Sequence, residues 1–108
     1  MANYLLIESR DPFDSNDSRF CCDLAMQLAQ QGDAVTVFLV QNGVLPARLG
    51  ARADGLSELA KAGIEILADD FSLRERGIPS DRLAAGVKSA PLDVVIDRLA
   101  DGCKAIWH

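Results

Sequence analysis

The sequence predicts an α/β fold, a three-layer α/β/α arrangement around a mostly parallel five-stranded sheet. Three observations carry this prediction. Near-continuous apolar runs such as Ala34 to Val40 (AVTVFLV) read as strands buried on both faces. Segments with an apolar stripe at helical spacing alternate with those runs. Short loops join them, which implies right-handed crossovers and a parallel sheet. At 108 residues the chain has room for one core, so a single domain is expected over 1–108.

Residues 3 to 9 (NYLLIES) read as the first strand, followed by a turn-rich stretch from Arg10 to Ser18. Ser15 or Asn16 is placed to cap a helix that runs to about Gln31 and stops at Gly32. A step of about 100° per residue puts Phe20, Cys21, Leu24, Ala25, Leu28 and Ala29 on one arc, with Asp23, Gln27, Gln30 and Gln31 opposite. Residues 34–40 form the second strand, with a turn at Gln41-Asn42-Gly43. A shorter helix over residues 52–62 ends at Gly63, and Ile64 to Ala68 forms the third strand. Asp69 or Asp70 caps a short helix through Arg76. Leu83 to Val87 reads as a short fourth strand. Ser89-Ala90-Pro91 opens a helix with proline in its first turn. Leu92, Val95, Ile96 and Leu99 form its stripe, Gly102 ends it, and residues 103–107 (CKAIW) form the last strand. Leu5, Ile7, Val35, Val37, Leu39, Ile64 and Ile66 are the expected core of the sheet.

A formal net charge of -5 argues against nucleic acid or an anionic membrane surface as partner, since both call for surplus Lys and Arg. No apolar stretch approaches the ~20 residues of a spanning helix, and the N-terminus has no basic region before its apolar run. A cytoplasmic location is expected. Three cysteines, two of them adjacent, form no even-numbered disulfide framework and no C-x-x-C knuckle, so reduced thiols are expected. His108, the only histidine and the last residue, leaves no basis for a His-dependent triad or a His-rich metal site.

Sites in such sheets form at the carboxyl ends of strands, which directs attention to the loops after residues 9, 40 and 68. The eight glycines make no G-x-G, and no G-K-[ST] occurs, so no cofactor is implied. Asp11, Asp14 and Asp17 follow strand one, and Asp69-Asp70 ends strand three. Such carboxylates suit Mg²⁺ or phosphoryl acceptance. Their spacing matches no tight motif, and Asp is an ordinary turn and cap residue, so no metal site is assigned. Asp11, Asp14 and Asp70 stay as small-ligand candidates. Among the thiols, Cys21 falls at the centre of the helical arc and reads as a small buried hydrophobe. Cys22, at the arc's edge beside Met26, is the more exposed and the better candidate for thiol chemistry. Cys103 opens the last strand, where burial is the default.

Three segments, LAMQLAQQGDAVTVFLVQNGV, GIEILADDFSLRERGI and GVKSAPLDVVIDRLADGCKAIW, in this order and spacing resemble the DsrE-like family of sulfur-relay proteins, the DsrE, DsrF, DsrH and TusB, TusC, TusD group. The resemblance covers nearly the whole chain and implies a DsrEFH-like fold, flavodoxin-like in general build. In sulfur-transferring members a cysteine just after the third strand carries a persulfide. Counting back from Arg76-Gly77, that position falls at Asp69, and a second cysteine of some members falls at Ser72. Neither oxygen side chain can form a persulfide. The resemblance therefore implies an assembly or binding subunit of a sulfur-related system, a homo-oligomer that meets other sulfur-relay proteins. The alternatives are a persulfide transferase that uses a relocated thiol, Cys22, or a small-ligand or metal-binding module at the carboxylate-rich strand ends.

Overall fold

The structure, a computed structural model, describes residues 2–11, 18–50 and 54–108. Strands β1 (Asn3–Glu8), β2 (Ala34–Leu39), β3 (Glu65–Asp69), β4 (Val87–Ala90) and β5 (Lys104–Trp107) form one sheet in the order β4-β3-β2-β1-β5. Every pairing is parallel, where the sequence predicted mostly parallel. Helices α1 (Ser18–Gln30), α2 (Asp54–Lys61), α3 (Asp70–Glu75) and α4 (Asp93–Ala100) alternate with the strands, and a 3-10 helix covers Gln41–Ala47.

Alternation along each strand divides the apolar side chains between two cores. Leu6, Val37, Leu39, Ile66 and Ala68 meet Cys21, Ala25, Leu56, Leu59 and Leu73, which puts α1, α2 and α3 on one face. Leu5, Ile7, Phe38, Val40 and Leu67 lie beneath Val94, Val95 and Cys103, which puts α4 on the other. All seven expected sheet-core residues are buried. Burying each such side chain contributes roughly 1.5–3 kcal/mol, so the three central strands supply most of the apolar driving force.

Four local expectations are corrected. The fourth strand is Val87–Ala90, not Leu83–Val87; Leu83 instead makes an isolated antiparallel bridge with Arg48. Ser89 and Ala90 therefore belong to that strand, and α4 begins at Asp93, two residues after Pro91. The expected turn at Gln41-Asn42-Gly43 is the start of the 3-10 helix. On α1 the buried arc centres on Cys21 and Ala25, whereas Phe20 is exposed. The proposed cap residues Ser15 and Asn16 lie outside the described residues.

The fifth strand returns to the far side of β1, so the strand order reverses between β1 and β5. The crevice at that reversal, outside the carboxyl ends, is where open α/β sheets bind ligands.

Helix α4 is fixed to the sheet by a polar clasp near the strands' amino ends. Arg98 donates from one guanidinium nitrogen to Thr36 Oγ1 at 2.8 Å and from another to Glu65 Oε1 at 2.8 Å, while Thr36 Oγ1 donates to Glu65 Oε1 at 2.9 Å. Partial burial by itself would raise the Glu65 carboxyl, but the hydrogen bonds from Arg98 and Thr36 and the Arg98 charge outweigh it and hold Glu65 below the ordinary carboxylate range. A carboxylate with a depressed folded-state pKa adds stability that is complete above its unfolded value and is lost as pH falls through the folded one. Stability should therefore begin to fall below about pH 4.5, with a contribution under about 1 kcal/mol because both partners are partly exposed. Urea melts of Glu65→Gln across pH 3 to 7 should show a shallower acid limb than the parent protein; identical limbs would remove this role.

Candidate functional site

The carboxyl edge of the sheet is organised by two clusters of buried polar groups. The first is centred on Asp69, 5% exposed at the end of β3. Its extended backbone makes it the N-cap of α3. Oδ2 accepts from the Ser72 backbone N–H at 3.0 Å and from the Ser72 hydroxyl at 2.7 Å. Ser72 Oγ in turn accepts from the Gln41 backbone N–H at 2.8 Å, across to the end of β2. Gln41 is left-handed, with φ 52°, a conformation costly for a residue with a side chain and one that persists only where its surroundings hold it. The other Asp69 oxygen, Oδ1, is buried and has no hydrogen-bond partner among the described residues.

Arg76 reinforces this junction by donating twice to Asn42 Oδ1, at 3.1 and 3.0 Å, and once to the Ser72 carbonyl at 3.2 Å. The R-G-I segment thereby acquires a physical meaning. Arg76 clasps the 3-10 helix, Gly77 takes the left-handed φ of 65° that ends α3, and Ile78 enters the core. Gly43, Val44, Pro46 and Ala47 of the 3-10 helix are buried. A Cβ at Gly43 would collide with the Glu8 carbonyl oxygen, so only glycine lets this segment lie so close to the end of β1.

The second cluster lies at the β1–β5 reversal. Glu8 is 4% exposed, with Oε1 accepting from the Arg10 N–H at 2.9 Å and Oε2 standing 2.8 Å from His108 Nδ1. A carboxylate only accepts, which assigns the shared hydrogen to Nδ1. The Cys21 thiol lies beside Glu8. Burial above all, then the Glu8 charge, pushes that thiol far above its ordinary range and keeps it protonated. Phe20 leans on the His108 ring, with centroids 5.4 Å apart. Sequence reasoning left His108 out of any site, yet its backbone N–H extends the ladder to Ile7 and its carbonyl accepts from Ser9. No short-range signal could have shown this, because 100 residues separate the partners.

The remaining sequence candidates are dispersed. Asp11 is buried just beyond β1, and Asp70 is half-buried in the first turn of α3. Asp14 lies outside the described residues. The Cys22 sulfur faces α2, where a Cβ on Gly55 would stand 3.1 Å from it, rather than the carboxyl edge. Glu8 and Asp69 end strands separated by β2, a spacing of about 10 Å, and the start of the 3-10 helix comes between them. No group of three metal-ligating side chains converges among the described residues.

A model of the DsrE/DsrF-like family matches residues 2–107. The chain belongs to the DsrE/DsrF-like family. The fold is shared with the protein of unknown function MTH1491 from Methanobacterium thermoautotrophicum, at a TM-score of 0.89 and 19% identity, with both chains covered completely. It is shared equally with the ychN protein from E. coli, at 0.90 and 18% over the whole of both chains. BT1422 from Bacteroides thetaiotaomicron, a conserved protein of unknown function, aligns at 0.69 and 18%, covering 96% of this chain and 94% of its own. No curated protein matches the chain. At such identities the likeness to these structures is one of fold. No helix among the described residues of this DsrE/DsrF-like chain is long and apolar enough to cross a membrane.

Truncation at Asp69 should loosen three elements together, because the end of β3, the first turn of α3 and the start of the 3-10 helix share its carboxylate. Asp69→Ala is expected to lower unfolding free energy by about 1–2 kcal/mol, the upper part of the range for a lost cap. The check is a denaturant titration, and an unmoved midpoint with an unmoved slope would refute the bracing role.

Proposed function

We propose that this DsrE/DsrF-like protein is an assembly or binding subunit of a sulfur-relay system rather than its persulfide carrier. The observation that carries this reading is the bonding of Asp69. At the position where resemblance puts the sulfur-carrying cysteine, the chain has a carboxylate committed to bracing α3 and the 3-10 helix. A thiol at that place would need to be approachable and able to ionise. Asp69 is neither sulfur nor exposed. A reducing, cytoplasmic compartment belongs to this reading, and the three free cysteines suit it.

Sulfur transfer through a relocated thiol is the competing reading. Cys21 is held protonated by burial and by Glu8, which opposes nucleophilic attack. Cys22 is half-buried against α2, and Cys103 lies partly covered beneath α4. The native protein, incubated with a low-molecular-weight persulfide and examined by intact mass, should gain no sulfur. A parallel alkylation series should label Cys22 well before Cys21. Stoichiometric uptake of one sulfur atom, mapped to any of the three cysteines, would replace the assembly reading with a transferase.

A further inference from the structure

The amino edge of the sheet, opposite the two polar clusters, holds a cleft of about 380 Å³ between the starts of β2 and β3 and the ends of three helices. Ala29 and Asp33 border it from the end of α1, Ala62 and Gly63 from the end of α2, and Arg98 from the last turn of α4. Gly32 and Gly63, with φ of 91° and 82°, turn the chain from α1 into β2 and from α2 into β3, which brings the carboxyl ends of those two helices together. A helix end of this kind carries about half a negative charge. α2 has Lys61 in its last turn to offset it, whereas α1 has no basic residue there. Asp33 gives only Oδ1 to a partner, the Ala2 N–H at 3.0 Å, and its Oδ2 has none among the described residues. Glu65 likewise engages Thr36 and Arg98 through Oε1 and leaves Oε2 without a hydrogen-bond partner among the described residues. Thr36 pairs with Glu65 across the sheet and Asp33 stands three residues before Thr36, so the backbones of the two acidic residues are roughly 10 Å apart along the strands. Ala29, Val35, Ala62 and Ile64 supply apolar wall between them.

We propose that this cleft binds an aliphatic primary amine, its ammonium meeting Asp33 Oδ2 and its stem lying along the apolar wall toward Glu65 and Arg98. The site is at the opposite edge of the sheet from Asp69, so it is independent of the subunit role put forward above. An ammonium has three hydrogens to donate, and the Asp33 end of the cleft offers acceptors for them, a half-bonded carboxylate beside the carbonyl ends of two helices. Both features stabilise positive charge and repel an anion. A metal ion is a poor fit, because no three metal-ligating side chains converge among the described residues and carboxylates so far apart cannot share one small ion. Arg98 is the one cation among the lining residues, and its hydrogen bonds to Glu65 and Thr36 hold it at the far end. Lys88 acts from β4 on Glu65 as well. The unanswered negative charge is therefore at Asp33, and the far end repels a second ammonium. There the free Glu65 Oε2 and the guanidinium suit a neutral amide or hydroxyl, so a monoamine is preferred to a diamine.

The full chain, titrated at constant ionic strength with n-butylamine, Nα-acetyl-lysine amide, putrescine and n-butanol while backbone amide NMR shifts are followed, tests the site. Butylamine and the lysine derivative should give saturable shifts centred on residues 33–36 and 62–65, and butanol should give none. Putrescine should bind no more tightly than butylamine despite its second charge. Tighter binding of the lysine derivative identifies a protein side chain as the source of the amine, and tighter binding of butylamine a free amine. Asp33→Asn keeps an acceptor for the Ala2 N–H and removes the charge; it should weaken amine binding roughly fivefold, the upper range for an exposed ion pair. Ala62→Leu fills the cleft without changing any charge and should abolish binding, so the outcome does not hang on one variant folding well. Asp93→Asn removes the same charge in the first turn of α4, at the carboxyl edge, and should leave binding unchanged. Because the chain carries a formal net charge of -5, non-specific attraction would favour putrescine and scatter the shifts over acidic residues everywhere. That pattern, amines that bind no better than butanol, or an affinity unmoved by both Asp33→Asn and Ala62→Leu would each overturn the proposal.

Discussion

One carboxylate oxygen holds the carboxyl edge of the sheet in place. Asp69 Oδ2 receives both the backbone and the hydroxyl hydrogens of Ser72, and that hydroxyl receives Gln41 N–H. The sequence thus fixes three things with two side chains: where α3 starts, where β2 ends, and the left-handed turn at Gln41. Without the Ser72 acceptor, the Gln41 N–H would be one more group to satisfy at a junction already strained by its φ. Arg76 and Asn42 repeat the connection from the far end of α3, so the 3-10 helix is clasped twice by a six-residue helix too short to be stable by itself. With this segment pinned and Gly43 flat against Glu8, the carboxyl edge between β1 and β3 is filled by backbone. The polar cluster of Glu8, Cys21 and His108 is left by itself at the reversal of strand order.

The parts of the fold that were legible in the sequence are those governed by a period. β1, β2 and β3 are near-continuous apolar runs, and only a sheet covered on both faces rewards such runs, so their core residues could be named in advance. The fourth strand was misplaced because Leu83 to Val87 is the more apolar segment. β4 is an edge strand, and Lys88 and Ser89 are exposed within it, so hydrophobicity pointed to a run of which only Val87 lies in the strand. The 3-10 helix Gln41–Ala47 has no apolar period at all; tertiary contacts around Gly43 and Pro46 create it. Asp69 as a cap was legible, since side-chain oxygen followed by a helix is a local signal. Its second bond to the Ser72 hydroxyl, and through it to Gln41, was not, because that depends on the distance between two strand ends.

A carboxylate at the end of β3 and a thiol at such a place would do different things. A thiol at the end of β3 offers a polarisable nucleophile and makes a poor hydrogen-bond acceptor. A carboxylate there offers strong acceptance and no nucleophilic sulfur. The sheet and helices are shared with MTH1491 and ychN at 18–19% identity because the cores under α1, α2 and α4 are set by patterning and volume, which tolerate wide substitution. The bonds made by Asp69 are of the bracing kind.

Helix α4 shows what amphipathicity does and does not determine. Periodicity establishes that Leu92, Ile96 and Leu99 share a face, but not what that face meets. Here the polar clasp decides the matter: Arg98, bonded to both Thr36 and Glu65, fixes the rotation of the helix about its own axis. Turning the stripe inward would break those bonds and bring an unpaired guanidinium toward the apolar core, a cost of several kcal/mol. Exposing three aliphatic side chains costs a comparable amount in water, and that cost disappears if another apolar surface covers them. The exposed backbone edge of β5 is a weaker means of association. It is four residues long and carries Lys104, whose ammonium lies over the Tyr4 ring, and short charged edges resist strand-to-strand pairing. The rotation set by Arg98 therefore leaves Leu92, Ile96 and Leu99 in water, while the edge of β5 is guarded by its shortness and its charge.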